Sequence, residues 1–337
     1  MKVYLTGAFE HLDNQVGFGN ASYHIYRTMK ALGVDVRVKT LDSPRKYKAD
    51  IEIAFDQPQR YAFMSQGYKI GYTPWESTGF MKDWWKPLYE CNEIWTTSNW
   101  CKDVFQNNLP GKDIFVYQHG MDHNFSPKKR KLDPDQPLTF LFIGEPFVRK
   151  DGQSVAEIFA ELYGNDANYR LIIKCTNVNT IQLDDERGRL RGAPDAVYNN
   201  IIVIRNMLSP AEMISLYDQS DVFVYPSWGE GFGFNPLQAM AMGIPTICTS
   251  EWADYKDLIT VPIGSIPCLT PWPEIHPGNM LSPNKSELHQ AMRVAKVNYR
   301  EWSNIAYRNS LILHEEFDWM KVTKPAVERL EKIFKTL

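Results

Sequence analysis

Short apolar runs alternate with longer stretches of helical periodicity from one end of the chain to the other. Strands are predicted at residues 2–6, 34–38, 50–55, 69–73, 94–97 and 114–117. Between the first two, Asn20 is placed to cap a helix whose Ile25, Met29 and Leu32 fall at i, i+4 and i+7, with Gly33 ending it. That is a strand, helix, strand crossover, the unit of parallel α/β layers. Residues 126–137 interrupt the alternation with a proline-rich, charged stretch suited to a linker. The pattern then restarts, with strands predicted at 138–143, 170–174, 201–204, 222–225 and 245–248, and helices at 153–163, 209–218 and 235–242. From Asn284 onward the chain reads as helical. At its end Ala326, Leu330, Ile333, Phe334 and Leu337 share one face, an apolar stripe that must dock on something. The reading is an α/β protein of two doubly wound Rossmann-like domains facing a cleft, with ligands expected at the carboxyl ends of the strands.

A length of 337 residues suits two domains. Hydrophobic residues at 44% and charged residues at 23% exclude disorder, collagen and coiled coil. The 37 basic and 40 acidic residues leave a net charge of -3, so a polyanion would have to be held by a local patch. Two candidate patches are Lys128, Lys129, Arg130 and Lys131, and Arg187, Arg189 and Arg191. The chain turns polar by Glu10, and no apolar run approaches the roughly 18 residues of a membrane span. Cys91, Cys101, Cys175, Cys248 and Cys268 form no Cys-x-x-Cys pair. These features predict a cytoplasmic protein without stable membrane insertion.

The segment from Tyr225 to Pro245 carries the most chemistry. A buried strand is expected to end at Tyr225, followed by a loop with Gly229, Gly231 and Gly233 and a helix with Asn235 as cap and Pro236 at its first position. The glycines would let the backbone approach a ligand, and the helix N-terminus would offer unpaired N–H groups to a phosphate. Glu230 beside such a site calls for hydroxyl donors, which a sugar supplies. Gln238 lies three residues after Asn235, where it would alternatively complete a capping box.

The Glu230-Gly-Phe-Gly-Phe-Asn-Pro-Leu-Gln238 run and the Ala239-Met-Ala-Met-Gly-Ile-Pro245 ending resemble the donor-site signature of the retaining GT-B glycosyltransferases, in particular glycosyltransferase family four. The resemblance implies that Glu230 holds hydroxyls of the transferred sugar. It assigns the distal phosphate to the backbone around Phe234 and Asn235, with Gly231, Phe232 and Gly233 also counted as donor-binding. Gln238 stands where the family has a second Glu bonded to the nucleotide ribose. Residues 140–152 resemble the first strand and basic loop of the family's C-terminal domain, which implies that Arg149 and Lys150 grip the diphosphate, Lys150 neutralising the leaving group. Glu145 stands where the family has an arginine. Arg205 falls where similar proteins line the base pocket, and Gly17 and Gly19 where they face the donor phosphates. Phe317-Asp-Trp-Met-Lys321 resembles the start of the last helix, which crosses back onto the first domain. The implied domains are 1–130 for the acceptor, with 318–337 packed on it, and 136–317 for the donor.

On the acceptor side, Trp75 and Glu76 follow a predicted strand at its carboxyl end, from which side chains project into the cleft. No histidine lies between His24 and His119, so Glu76 is the candidate for orienting or deprotonating the acceptor, with capping of a helix near Thr78 as its structural alternative. His119, in a His-Gly-Met-Asp turn like the one that ends the family's first domain, is a secondary candidate with a packing and hinge role. Trp84, Trp85, Trp95 and Trp100 are expected to be mostly core.

The resemblance implies a glycosyltransferase that moves a sugar from a UDP- or GDP-linked donor to a glycan or lipid hydroxyl. Retention, no metal and no cofactor beyond the co-substrate go with it. Three alternatives stand beside it: transfer to a hydroxymethylated DNA base, a non-catalytic nucleotide-sugar-binding scaffold, and a nucleotide-sugar epimerase on the same fold.

Overall fold

A computed structural model describes residues 1–12, 17–39, 49–64, 67–144, 148–175 and 198–337. The first sheet has the order β2-β1-β3-β4-β5-β6, with β1 at Lys2–Gly7, β2 at Asp35–Val38, β3 at Ile51–Phe55, β4 at Tyr68–Tyr72, β5 at Glu93–Thr96 and β6 at Ile114–Val116. Every pairing in it is parallel. The second sheet is also parallel and has the order β12-β11-β10-β7-β8-β9. Its strands are β7 at Leu138–Ile143, β8 at Tyr169–Lys174, β9 at Ile201–Ile204, β10 at Val222–Tyr225, β11 at Thr246–Thr249 and β12 at Val261–Ile263.

The central strands are apolar along their whole length because helices cover both faces of a parallel sheet. All six residues of β7 are buried. Helices α1 (Phe18–Ala31), α2 (Trp85–Glu90) and α3 (Asn99–Asn108) serve the first sheet; α4 (Gly152–Tyr163), α5 (Pro210–Asp218) and α6 (Phe234–Ala241) serve the second. Two capping expectations differ. Gly17, at φ 53°, precedes α1, so Asn20 lies inside that helix. Gly233, at φ 83°, precedes α6, which places Asn235 second and Pro236 third in it. In both cases a glycine that tolerates left-handed backbone turns the chain before the expected cap is reached.

The sequence pattern contains no signal for an antiparallel hairpin, yet β13 (Ser265–Leu269) and β14 (Asn279–Pro283) form one, outside both sheets. It is followed by the 32-residue helix α7, Lys285–Glu316, capped by Asn284. Helix α8, Trp319–Phe334, then packs on α1 of the first unit. Thr323 bonds Thr28 at 2.9 Å and Tyr117 at 2.8 Å, and Arg329 grips the fully buried Glu93 with its shortest contact at 2.8 Å. Ala326, Leu330 and Ile333 are buried there, the latter two worth roughly 2 kcal/mol each. Phe334 and Leu337, assigned to the same stripe from sequence, are instead exposed. The helix stops at Phe334, so Leu337 leaves the helical register.

Removing Arg329 strands a buried carboxylate that keeps only the Trp95 indole and Tyr68 hydroxyl as donors. Arg329→Ala is expected to destabilise the chain by about 2–3 kcal/mol, the low end for breaking a buried pair because the arginine is a third exposed. Urea denaturation of wild type and variant measures this, and an unchanged midpoint contradicts it.

Candidate functional site

At the carboxyl edge of the second sheet, the loops after β7 and β10 meet. The Trp228 N–H donates to the Arg149 carbonyl at 2.7 Å, which fixes one loop against the other. Their side chains converge on Glu230, which is buried. Lys150 Nζ lies 2.8 Å and Arg149 Nη1 3.0 Å from its Oε1, and the Tyr225 and Ser227 hydroxyls each donate to the same oxygen at 2.8 Å. Among the described residues no partner falls on Oε2, which leaves that oxygen available to hydroxyl groups.

Burial alone would raise the Glu230 pKa, but Arg149 and Lys150 outweigh it and hold the group at about 2. Burial lowers the Lys150 pKa, with Arg149 adding to the effect and Glu230 opposing it. Burial acts the same way on Arg149, but Glu230 and Glu76 reverse it and leave that pKa raised.

The glycines of the loop are closely packed by the protein's own atoms. A Cβ on Gly229 would strike the Glu76 carbonyl, one on Gly231 would strike Pro74, and one on Gly233 would lie 2.5 Å from the Tyr255 hydroxyl and 2.6 Å from Trp252. Gly229 and Gly231 therefore admit the backbone of the first unit. The Thr97 hydroxyl completes that contact by donating to the Gly231 carbonyl at 2.5 Å.

Glu76 lies beyond β4, as expected, but no helix starts near Thr78 for it to cap. Its Oε1 is 3.7 Å from Arg149 Nη2 and its Oε2 is 3.8 Å from His276 Nδ1. Its neighbour Trp75 is buried and donates its indole N–H to the Gly79 carbonyl at 2.8 Å, so it packs and shapes the wall. The site therefore unites Arg149, Lys150 and Glu230 with Glu76.

Other candidates stand further off. Asn235 donates to the Ile143 carbonyl at 2.9 Å, tying α6 to the end of β7. The capping box of Gln238 is absent because the cap lies at Gly233; its Oε1 accepts from the Tyr217 hydroxyl at 3.2 Å instead. Phe234 opens α6, stacked 5.0 Å from the ring of His119, and Phe232 meets the same ring edge-on at 5.1 Å. His119 is buried and its pKa is pushed down to about 3 by that burial, so it is a neutral packing residue between the two units. Arg205 is half-buried just past the edge strand β9, on the same sheet edge as the cluster. Gly17 precedes α1, with nothing among the described residues within 4 Å of an added Cβ, and Gly19 is buried in the helix's first turn. Trp84 and Trp95 are core. Glu145 and the Arg187 to Arg191 patch lie outside the described residues.

Sequence reasoning missed three contributors. Tyr225 and Ser227 precede Glu230 by five and three residues, so their hydroxyls were legible only once the turn was known. His276 comes from the β13–β14 hairpin, 200 positions beyond Glu76, and no local pattern links the two.

Two parallel-sheet α/β units, with a carboxylate and two cations gathered at the carboxyl edge of the second sheet, have the architecture of the GT-B fold. Comparison with known proteins agrees. A family model described as Family 4 Glycosyltransferase in conflict systems matches residues 97–252. A protein of Sulfolobus islandicus filamentous virus, provisionally named glycosyltransferase 45, is 22% identical over 244 residues, covering 69% of this chain and 65% of its own length. Sucrose-phosphate synthase from Thermosynechococcus elongatus superposes over 100% of both chains with a TM-score of 0.72 at 12% identity. Anabaena Alr3699/HepE in complex with UDP and glucose superposes over 98% of this chain and 100% of its own, with a TM-score of 0.69 at 11% identity. The chain is GT4-like in sequence and GT-B in fold. Its matches span from 25% to 65% of the length of the curated relatives that head the comparison.

The depressed pKa of Glu230 sets a pH window. Its contribution to stability is complete above its ordinary value of 4.5 and is lost as pH falls from there towards about 2. At pH 7, Glu230→Gln takes the carboxylate from Lys150 and leaves Arg149 with the more distant Glu76, and is expected to cost about 3 kcal/mol. Denaturation from pH 7 to pH 2.5 should show the gap to wild type narrowing below pH 4.5, and a constant gap contradicts the assignment.

Proposed function

We propose that this chain is a glycosyltransferase that moves a sugar from a nucleotide-sugar, UDP-linked in the first instance, to the hydroxyl of a glycan or lipid acceptor. The observation that carries this reading is Glu230, a buried carboxylate whose Oε1 takes Arg149, Lys150, Tyr225 and Ser227, while among the described residues no partner is found on Oε2, the oxygen this reading gives to sugar hydroxyls. Arg149 and Lys150 stand ready for the diphosphate, together with the N–H groups of the first turn of α6, which have no intrahelical acceptor. The charge these two cations supply as the glycosidic bond breaks is what a divalent ion provides elsewhere, so the reading includes transfer without metal. Retention of configuration follows the family resemblance, and the UDP and glucose bound to Alr3699/HepE support the choice of donor.

One observation weighs against a DNA acceptor. Lys128 and Arg130 both pair with Asp218, Arg130 also bonds the carbonyls of Met242, Asp218 and Ser220, and Lys129 lies 5.2 Å from the centre of the Tyr307 ring. Most of that patch is therefore committed within the chain.

Thermal unfolding against UDP-, GDP-, ADP-, dTDP- and CMP-sugars tests the reading. A donor at 100 times its Kd should add about 2.7 kcal/mol to the folded state. The expected result is stabilisation by one nucleotide-sugar, loss of its sugar-dependent part in Glu230→Gln, and loss of the nucleotide part in Lys150→Met. No shift with any of the five overturns the donor assignment, and NMR of the product anomer decides retention.

A further inference from the structure

The β13–β14 hairpin reaches from the second unit to the first. Its tip accepts from the Thr78 N–H at Asn279 (3.0 Å) and from the Gly79 N–H at Pro277 (2.9 Å), and the Asn279 N–H donates to the Thr78 hydroxyl at 2.7 Å. On its other side the Leu281 N–H donates to the Trp228 carbonyl of the donor loop at 2.9 Å. The hairpin is thereby seated on the residues flanking Glu76 and on the loop that carries Glu230. The residue it brings to the junction is His276, whose ring packs 5.2 Å from that of Trp75.

The geometry of this histidine is specific. Nδ1 is buried, has no hydrogen-bond partner among the described residues and faces Glu76 Oε2 at 3.8 Å. The side chain still keeps 15% of its surface, which lies away from Nδ1. A carboxylate beside one nitrogen of a partly exposed ring is the arrangement in which an imidazole accepts a proton from a hydroxyl, and such contacts are commonly long before substrate binds.

We propose that Glu76 and His276 form an acceptor-side dyad, Glu76 holding Nδ1 and Nε2 taking the proton of the acceptor hydroxyl. The proposal rests on the transferase reading above. As the acceptor oxygen bonds the anomeric carbon, the bond from that carbon to the diphosphate oxygen breaks and its electron pair leaves with the diphosphate, held by Arg149 and Lys150. The proton passes to Nε2, the imidazolium is stabilised by Glu76, and the proton returns to solvent with product release. The dyad decides where the proton goes, whereas the face of attack depends on how donor and acceptor are placed. The charged groups facing His276 are Glu76, Arg149 and Glu230. Burial lowers its pKa most, Arg149 lowers it further, and the two carboxylates oppose them. The ring is therefore neutral and able to accept a proton at pH 7.

Two measurements on the full chain test this. The first follows the His276 Cε1–H resonance by NMR across pH in wild type and Glu76→Gln. The midpoint should lie below the ordinary 6.5 and move further down in the variant; an unchanged or raised midpoint removes the dyad. The second measures hydrolysis of the same five nucleotide-sugars, with water as acceptor. His276→Gln and Glu76→Gln should each lower kcat about 100-fold or more with donor KM nearly unchanged, and the double variant should lose no more than either alone. The acidic limb of the wild-type pH profile should shift down in Glu76→Gln. Full activity in folded His276→Gln overturns the proposal. If none of the five is hydrolysed, the transferase reading fails on its own, and the NMR midpoint still decides whether Glu76 and His276 titrate as one unit.

Discussion

The burial of one negative charge organises the centre of this molecule. Glu230 sits where an isolated carboxylate would take up a proton, and it stays ionised because two cations and two hydroxyls converge on a single oxygen. That demand constrains the surroundings. The cations come from the loop after β7, so that loop must be fixed against the loop after β10, and the bond from the Trp228 N–H to the Arg149 carbonyl does this. Arg149 also carries Glu76, so the same charge ties the first unit to the second. Replacing Glu230 by an apolar residue leaves Lys150 without a carboxylate, an outcome far costlier than the pair itself is stabilising.

Backbone proximity reinforces the electrostatics. Gly229 and Gly231 lie against Glu76 and Pro74 so closely that no side chain fits. The hairpin tip closes on the adjacent Thr78 and Gly79 through hydrogen bonds of its own. Around Glu76 the two units thus share backbone contacts, a charged network and an added structural element. Loops of the two units held in register in this way allow groups bound between them to be placed to within a few tenths of an ångström, as the proposed transfer requires.

The layered architecture was legible because buried parallel strands read as short apolar runs, and each of the eleven expected strands overlaps one in the structure. Helix starts were less legible at Asn20 and Asn235, where neighbouring glycines with positive φ moved the cap. The hairpin escaped notice because Pro267, Pro271, Pro273 and Pro277 mask any alternation. Within the site, Glu230, Arg149, Lys150 and Glu76 were all identifiable, the first three through a family resemblance and the fourth through its place beyond a strand. His276 was not, since the signal that relates it to Glu76 is tertiary. The glycines were singled out in the sequence for a ligand's approach, and the structure adds a packing role that only the fold reveals, since atoms of the protein itself leave no room for a Cβ at Gly229, Gly231 and Gly233.

Charge balance then orders the events of the proposed reaction. Arg149 and Lys150 are matched by Glu230 and Glu76, so the network is formally neutral before any donor arrives. A nucleoside diphosphate adds negative charge and competes for both cations. Glu230 is bound to them at 3.0 Å and 2.8 Å and braced by two hydroxyls, whereas Glu76 meets Arg149 at 3.7 Å. Coulomb energy and hydrogen-bond quality both fall with distance, so Glu76 is the partner a diphosphate displaces first. Released from Arg149, Glu76 keeps His276 as its neighbour at 3.8 Å. Donor binding thereby strengthens the carboxylate's hold on the imidazole, and the acceptor side becomes competent only after the leaving group is in place.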